Sequence, residues 1–263
     1  MSYEAILFDI SEGVACITLN RPEKLNSFTA RMHEELHDAM KQVYSADSVR
    51  ALLITGNGRG FCAGQDLNER AMSDGGEKVE LGSALEKSYN PLVRGIRELG
   101  MPVICAVNGV AAGAGCNFAL AADIVIAARS ASFIEVFSRI GLIPDAGGTY
   151  VLPRLIGAAR AMALSLLAEP ITAEQAVSWG LIWKCVDDDK LLTEARELSR
   201  RLATGPTRAY GLIKQALNAS PANTLEQQLA LEAKLQREAG RTTDFHEGVK
   251  AFLEKRAPRY QGR

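Results

Sequence analysis

Gly60-Phe61-Cys62-Ala63-Gly64-Gln65-Asp66-Leu67 and Asn108-Gly109-Val110-Ala111-Ala112-Gly113-Ala114-Gly115 are the two stretches that decide how this chain reads. Each follows an apolar run with strand character, Val49 to Thr55 in one case and Pro102 to Val107 in the other. Each then places small residues where the chain must turn. Small residues leave backbone N–H groups uncovered. Two such groups converging on one point form an oxyanion hole, which stabilises a carbonyl oxygen as it gains negative charge. The expected chemistry runs through an enolate or a tetrahedral adduct. Close backbone packing without chemistry is the plainer reading of either stretch taken alone.

Outward from these stretches, strand and helix signals alternate. Ile6 to Ile10 and Val14 to Leu19 read as strands turning at Glu12-Gly13. Residues 29–45 read as a helix with Met32, Leu36, Ala39, Met40 and Val43 on one face. Residues 66–82 mix Gly, Ser, Asp and Glu and predict a mobile segment; a helix follows to about Leu99. Asn117 to Ala121 reads as helix and Ile124 to Ala127 as strand. The recurring order favours stacked βα units with parallel pairing. After about residue 190 the pattern is helical throughout, with segments 190–203, 208–219, 224–239 and 244–255 broken at Gly205-Pro206 and Ser220-Pro221.

Bulk properties narrow the function classes. The chain has 263 residues and is 47% hydrophobic, enough for one large domain, or one domain plus a helical extension. A formal net charge of −1 gives no electrostatic case for nucleic acid or an anionic membrane as partner. No cationic leader precedes an apolar stretch and no long uncharged apolar run is present, so a cytoplasmic protein without a membrane span is expected. Five scattered cysteines without a CxxC pair read as reduced thiols.

Two motifs are decoys. His33-Glu34-Glu35-Leu36-His37 matches HExxH, but its histidines are expected to flank the apolar face of an amphipathic surface helix, so no metal site is expected. Gly56-Asn57-Gly58-Arg59-Gly60 is not followed by Gly-Lys-Ser/Thr and is no phosphate loop.

The two opening stretches, with Asn20-Arg21-Pro22 through Leu25-Asn26, Asp123-Ile124, Gly141-Leu142-Ile143-Pro144, Gly147-Gly148-Thr149 and Trp179-Gly180-Leu181, occur in one order and spacing. Together they resemble the crotonase family, the enoyl-CoA hydratases and isomerases, over nearly the whole chain. The resemblance implies an α/β fold: a crotonase-like spiral of ββα units over residues 1–200 holding the CoA-ester site, then a C-terminal helical trimerisation region over 201–263. It implies a homotrimer or a hexamer built as a dimer of trimers. It also implies an acyl-CoA thioester as substrate, with coenzyme A entering as part of that substrate and no permanently bound cofactor.

Asp145 lies between Gly141-Leu142-Ile143-Pro144 and Ala146-Gly147-Gly148-Thr149. A carboxyl among apolar and small residues is poorly solvated, which raises its pKa toward proton transfer. Local sequence by itself favours a helix N-cap. The resemblance implies the catalytic role, because this position holds the carboxylate of the family's isomerases. The hydratases' two glutamates fall at Asn117 and Phe137, neither of which exchanges a proton as a base. Both are expected to line the pocket, with Glu135 two residues from the second. The resemblance places the oxyanion hole at the N–H groups of Ala63 and Ala114. It places substrate and CoA contacts at Lys24, Leu25, Ala63, Gly64, Gln65 and Asp66, and, reaching a neighbouring subunit, at Phe252 and Lys255. Lys24 and Lys255 equally fit solvated surface charge.

The expected activity is an acyl-CoA isomerase, nearest to those converting a ring-1,2-epoxyphenylacetyl-CoA to an oxepin-CoA, and able to shift double bonds of unsaturated esters. Enoyl-CoA hydratase, aryl-CoA dehalogenase and a CoA-ester-binding subunit without chemistry are the alternatives.

Overall fold

A computed structural model describes residues 3–68 and 80–263. The chain opens with β1 (Ile6–Ser11) and β2 (Val14–Leu19), an antiparallel hairpin. Its turn residues Glu12 and Gly13 take positive φ, 53° and 77°, the backbone twist that a two-residue hairpin turn needs. Strand β2 then pairs in parallel with β3 (Ala51–Gly56), which pairs with β5 (Val103–Val107), then β7 (Ile124–Ala128) and β10 (Lys184–Val186). The first sheet thus has six strands in the order β1-β2-β3-β5-β7-β10. Strand β5 is buried at every position, and β3 at all but Gly56, the pattern of parallel strands covered on both faces.

A second, four-stranded sheet has the order β4-β6-β8-β9, from β4 (Gly60–Cys62), β6 (Val110–Ala112), β8 (Ser132–Ile134) and β9 (Ile171–Thr172). The chain passes from β3 to β4, through a helical stretch ending in Asn90–Glu98, to β5 and β6, through Ala114–Leu120, to β7 and β8. Each turn places one strand in each sheet, and the helix of the second turn, Ala114–Leu120, is buried along its whole length. This is the expected spiral of ββα units. The turns between β3 and β4 and between β5 and β6 bring the two opening sequence stretches side by side.

Helix Ala30–Ser45 starts at Thr29, whose hydroxyl accepts the Met32 N–H at 3.1 Å. Its buried stripe is Met32, His33, Leu36, Ala39, Met40 and Val43. His33 therefore faces the core rather than flanking it, a correction to the surface position expected from the sequence. It stacks on Phe28 with ring centroids 5.0 Å apart, and neither ring nitrogen has a hydrogen-bond partner among the described residues. His37 is bonded to the Ser88 carbonyl at 3.0 Å. Buried Glu35 accepts the Ala5 N–H at 2.8 Å and ties down the N-terminal strand.

Helix Leu191–Ala203 covers the first sheet, and Thr207–Ala219, Leu225–Ala239 and Thr243–Leu253 follow it. Lys214 fastens this region to the sheet: its ammonium donates to Asp123 Oδ2 and to the Ile96 carbonyl, each at 2.8 Å. Leu217, Leu225, Leu229, Phe252 and Leu253 stay exposed on these helices. Helix Gly148–Leu167 is long and apolar enough to cross a bilayer by length and composition, but Gly157 (φ 76°, ψ 161°) kinks it midway and it carries Arg154 and Arg160. The mobile segment expected over 66–82 falls largely on residues 69–79, outside the described residues.

Candidate active site

The site forms where β4 and β6 end. Gly64 has φ +87°, and a Cβ there would meet the Ala112 carbonyl at 3.0 Å, so the first loop lies directly on the second. A Cβ on Gly115 would sit 2.4 Å from the Cys62 carbonyl. Helix Ala114–Leu120 can approach β4 this closely only because that position is glycine.

The backbone amides around these turns are not equivalent. The Ala63 N–H donates to the Leu25 carbonyl at 3.0 Å. Ala63 therefore cannot offer the free amide that the sequence reading assigned to it. Phe28 N–H donates to Gly64 O at 2.7 Å and Asp66 N–H to Phe28 O at 2.9 Å, a parallel bridge that turns the Gln65 N–H to the opposite side. That N–H has no hydrogen-bond partner among the described residues. The Ala114 N–H is likewise unpartnered among them, as expected for the first residue of a helix. Gln65 and Ala114 line one cavity of about 370 Å³. The positive end of the helix starting at Ala114 adds to the potential there. The Gln65 side chain is pinned, its Nε2 donating to Phe28 O at 3.1 Å and its Oε1 accepting from the Tyr89 hydroxyl at 2.6 Å.

A further wall comes from the Val136–Ile140 turn and the loop after it. Phe137, Leu142, Pro144 and Asp145 line the cavity, with Leu85 and Tyr89 beside them. Asp145 is the one carboxylate among the described residues of this lining. It does not cap a helix: helix Gly148–Leu167 begins three residues on, and its N-cap is Gly147, with φ 86°. Phe137 stands in the wall as expected. Asn117 does not; it lies buried behind it, a correction to its expected place. Its Nδ2 donates to the Asp145 backbone carbonyl at 2.9 Å and to Glu135 Oε2 at 3.3 Å. Glu135 is 0% exposed. Burial pushes its carboxyl up to about 7, against hydrogen bonds from Cys116 and Asn117, and the negative charge of Asp145 adds to the rise.

Other expected contacts sit along the cavity rim or away from it. Leu25 holds a left-handed conformation, φ 47°, and its carbonyl is the partner of Ala63. Lys24 beside it is exposed. Asp66 turns from the cavity: its Oδ2 pairs with Arg21 at 3.1 Å, which fixes the turn. Phe252 and Lys255 are exposed at the end of the last helix. A larger cavity of about 510 Å³ lies by Trp183, Tyr210 and Lys214; its Lys214 and Asp123 pair with one another, and its Arg97 donates to the Asn218 side chain.

Two site features were beyond the sequence reading. The unpartnered Gln65 amide depends on which neighbouring N–H groups meet Leu25 and Phe28, which only the fold decides. Burial of Glu135 had one available signal, its position directly after the apolar pair Phe133-Ile134.

Known proteins resemble this chain over nearly its whole length. The model of the family described as enoyl-CoA hydratase/isomerase matches residues 9–263. The chain is 56% identical over 260 residues, 99% of each chain, to the 1,2-epoxyphenylacetyl-CoA isomerase of Escherichia coli (strain K12). It is 50% identical over 263 residues, 100% of each, to a "Probable enoyl-CoA hydratase" of Rhodobacter capsulatus. The crystal structure of an enoyl-CoA hydratase from Bacillus anthracis superposes with a TM-score of 0.93 at 35% identity, covering 99% of this chain and 100% of that one. The chain belongs to the enoyl-CoA hydratase/isomerase family, the crotonases.

Proposed function

We propose that this protein is an acyl-CoA isomerase that converts ring-1,2-epoxyphenylacetyl-CoA to an oxepin-CoA and can shift double bonds of unsaturated acyl-CoA esters. One observation carries the proposal. Asp145 shares an apolar cavity with the Gln65 and Ala114 N–H groups, and Phe137 stands where a second acid would be needed to hold water.

The thioester carbonyl oxygen sits between the two N–H groups. Asp145 takes a proton from the carbon beside that carbonyl, and the C–H electron pair moves onto the oxygen as an enolate. The two amides and the adjoining helix end stabilise that charge where water is excluded. The ring C–C bond shared with the epoxide opens, its electron pair entering the ring double bonds to give the seven-membered oxepin. The enolate's electrons return through that conjugated ring, and Asp145 gives the same proton to a ring carbon. One proton leaves and one returns, so no water is consumed. Lys24 and the Leu25–Gly64 edge receive the nucleotide and pantetheine of coenzyme A, with Asp66 fixing the turn beneath. Phe252 and Lys255 serve a neighbouring subunit's ligand. The helical region over 201–263 assembles trimers, the exposed leucines of its helices supplying apolar surface.

The 50% identity to a named hydratase supports hydration as a second reading. Against it, Glu135 lies outside the cavity wall and Asn117 replaces the other acid. Asp145→Asn keeps the side chain's shape and removes proton exchange. Loss of isomerisation by about 10²–10⁴-fold is expected, with products identified by NMR and mass spectrometry. Full activity in that variant eliminates the proposal, and rapid hydration of crotonyl-CoA by the wild type favours the second reading.

A further inference from the structure

Glu135 has no place in the chemistry described so far, yet it lies directly beneath it. It follows β8, and its carboxyl is wholly enclosed between that strand's end, helix Ala114–Leu120 and the Asp145 loop. Oε2 accepts the Asn117 Nδ2 at 3.3 Å, and Oε1 is buried with no partner among the described residues. A buried, ionised carboxylate met only by the Asn117 amide and the weak Cys116 thiol donor would be strongly disfavoured; the neutral acid, which needs fewer donors, is tolerated. Asn117 bridges onward: the same Nδ2 donates to the Asp145 carbonyl at 2.9 Å. The groups facing Glu135 are the Cys116 thiol and Asn117 amide from the helix and Asp145 from the loop. No cation faces it from these elements.

We propose that Glu135 is a positioning residue whose neutral carboxyl orients the Asn117 amide, which in turn holds the backbone of Asp145 so that its side chain reaches the acyl-CoA. The inference rests on Asp145 as the acid–base residue. When Glu135 is neutral, the site holds one carboxylate and can accept the enolate's charge. When Glu135 ionises, a second negative charge appears behind Asp145, which opposes the enolate and draws the Asn117 amide toward Glu135. Glu135 is neutral below about pH 7 and charged above it, so turnover falls as pH rises through that range.

The test compares kcat and KM from about pH 5.5 to 9 for the wild type, Glu135→Gln and Glu135→Ala, with the epoxide ester as substrate. Glu135→Ala is expected to lose about tenfold or more in kcat, because the Asn117 anchor is gone. Its KM stays within about twofold, because Glu135 touches no ligand. Glu135→Gln keeps an acceptor but cannot ionise: it restores most of the rate and removes the alkaline fall. The infrared band of an un-ionised carboxyl, present at about pH 6 and lost by about pH 8.5, should vanish in the same variant. Superimposable pH profiles for wild type and Glu135→Gln, or an unchanged kcat in Glu135→Ala, overturn the inference. Either result with Asp145→Asn inactive leaves the isomerase reading standing, whereas an active Asp145→Asn removes that reading first.

Discussion

Replacing Gly148 by alanine adds one methyl group and tests the support behind the Asp145 loop. A Cβ at that position would lie 2.3 Å from Asn117 Nδ2, 2.7 Å from its Cγ and 2.8 Å from its Oδ1. Carbon contacts are comfortable at about 3.5–4.0 Å, so either the amide or the helix start must move by about 1 Å. Asn117 is 1% exposed and cannot retreat without giving up its bonds to Asp145 and Glu135. Overpacking costs about 1–3 kcal/mol and a buried hydrogen bond left unmade about 1–3 more. Loss of glycine's freedom in the unfolded chain returns about 0.4–1 kcal/mol. The expected net loss is about 2–4 kcal/mol, or roughly 5–15 °C in Tm for a chain of this size. A displacement of about 1 Å at the acid should lower kcat about 10²-fold. Urea unfolding and steady-state kinetics read the two effects separately. The double variant Gly148→Ala, Asn117→Ser clears the contact and should regain part of the stability without regaining the rate. Wild-type stability and turnover in Gly148→Ala would refute the account of how Asp145 is held.

Two further outcomes follow from the backbone and from His33. Ala114→Pro replaces an N–H with a ring at the first position of a helix, where proline is tolerated and no intrahelical bond is lost. Turnover should drop about 10²–10³-fold with little change in Tm; retained turnover would remove Ala114 from the oxyanion hole. Burial, with a smaller effect from His37, lowers the His33 imidazole from 6.5 to about 4, so the unfolded chain takes up a proton there before the folded one does. Its stabilising contribution is complete above about pH 6.5 and is lost as pH falls toward 4, by about 3 kcal/mol. His33→Phe should unfold with a flatter dependence on pH between about 4 and 6.5, and an unchanged slope would contradict the buried neutral imidazole.

Much of the fold was legible because its strands and helices bury continuous or periodic apolar faces. Strands β3, β5 and β7 and the four C-terminal helices lie within a few residues of their expected limits. The second sheet was not legible: β4, β6 and β8 are three residues each, too short for any period, and exist because neighbouring turns of the spiral pair them. Asp145 could be read as a poorly solvated acid from its neighbours in sequence, whereas Phe137 was expected in the wall only from the family resemblance. The free amide could not. Ala63 and Gln65 are equally plausible in the sequence, and the choice between them is made by Leu25 and Phe28, which are distant along the chain. Glu135 was ambiguous for the same reason, since one residue's shift in the strand end decides whether it enters the cavity or the core.

The bond from Ala63 to the Leu25 carbonyl has a mechanical meaning. It ties the loop bearing Lys24 to a strand end only two residues short of the Gln65 amide. A tug on the far end of a long ligand is thereby transmitted to the place where its electrons shift. Shortening such a ligand at its nucleotide tip should therefore slow the reaction itself, beyond any loosening of its grip.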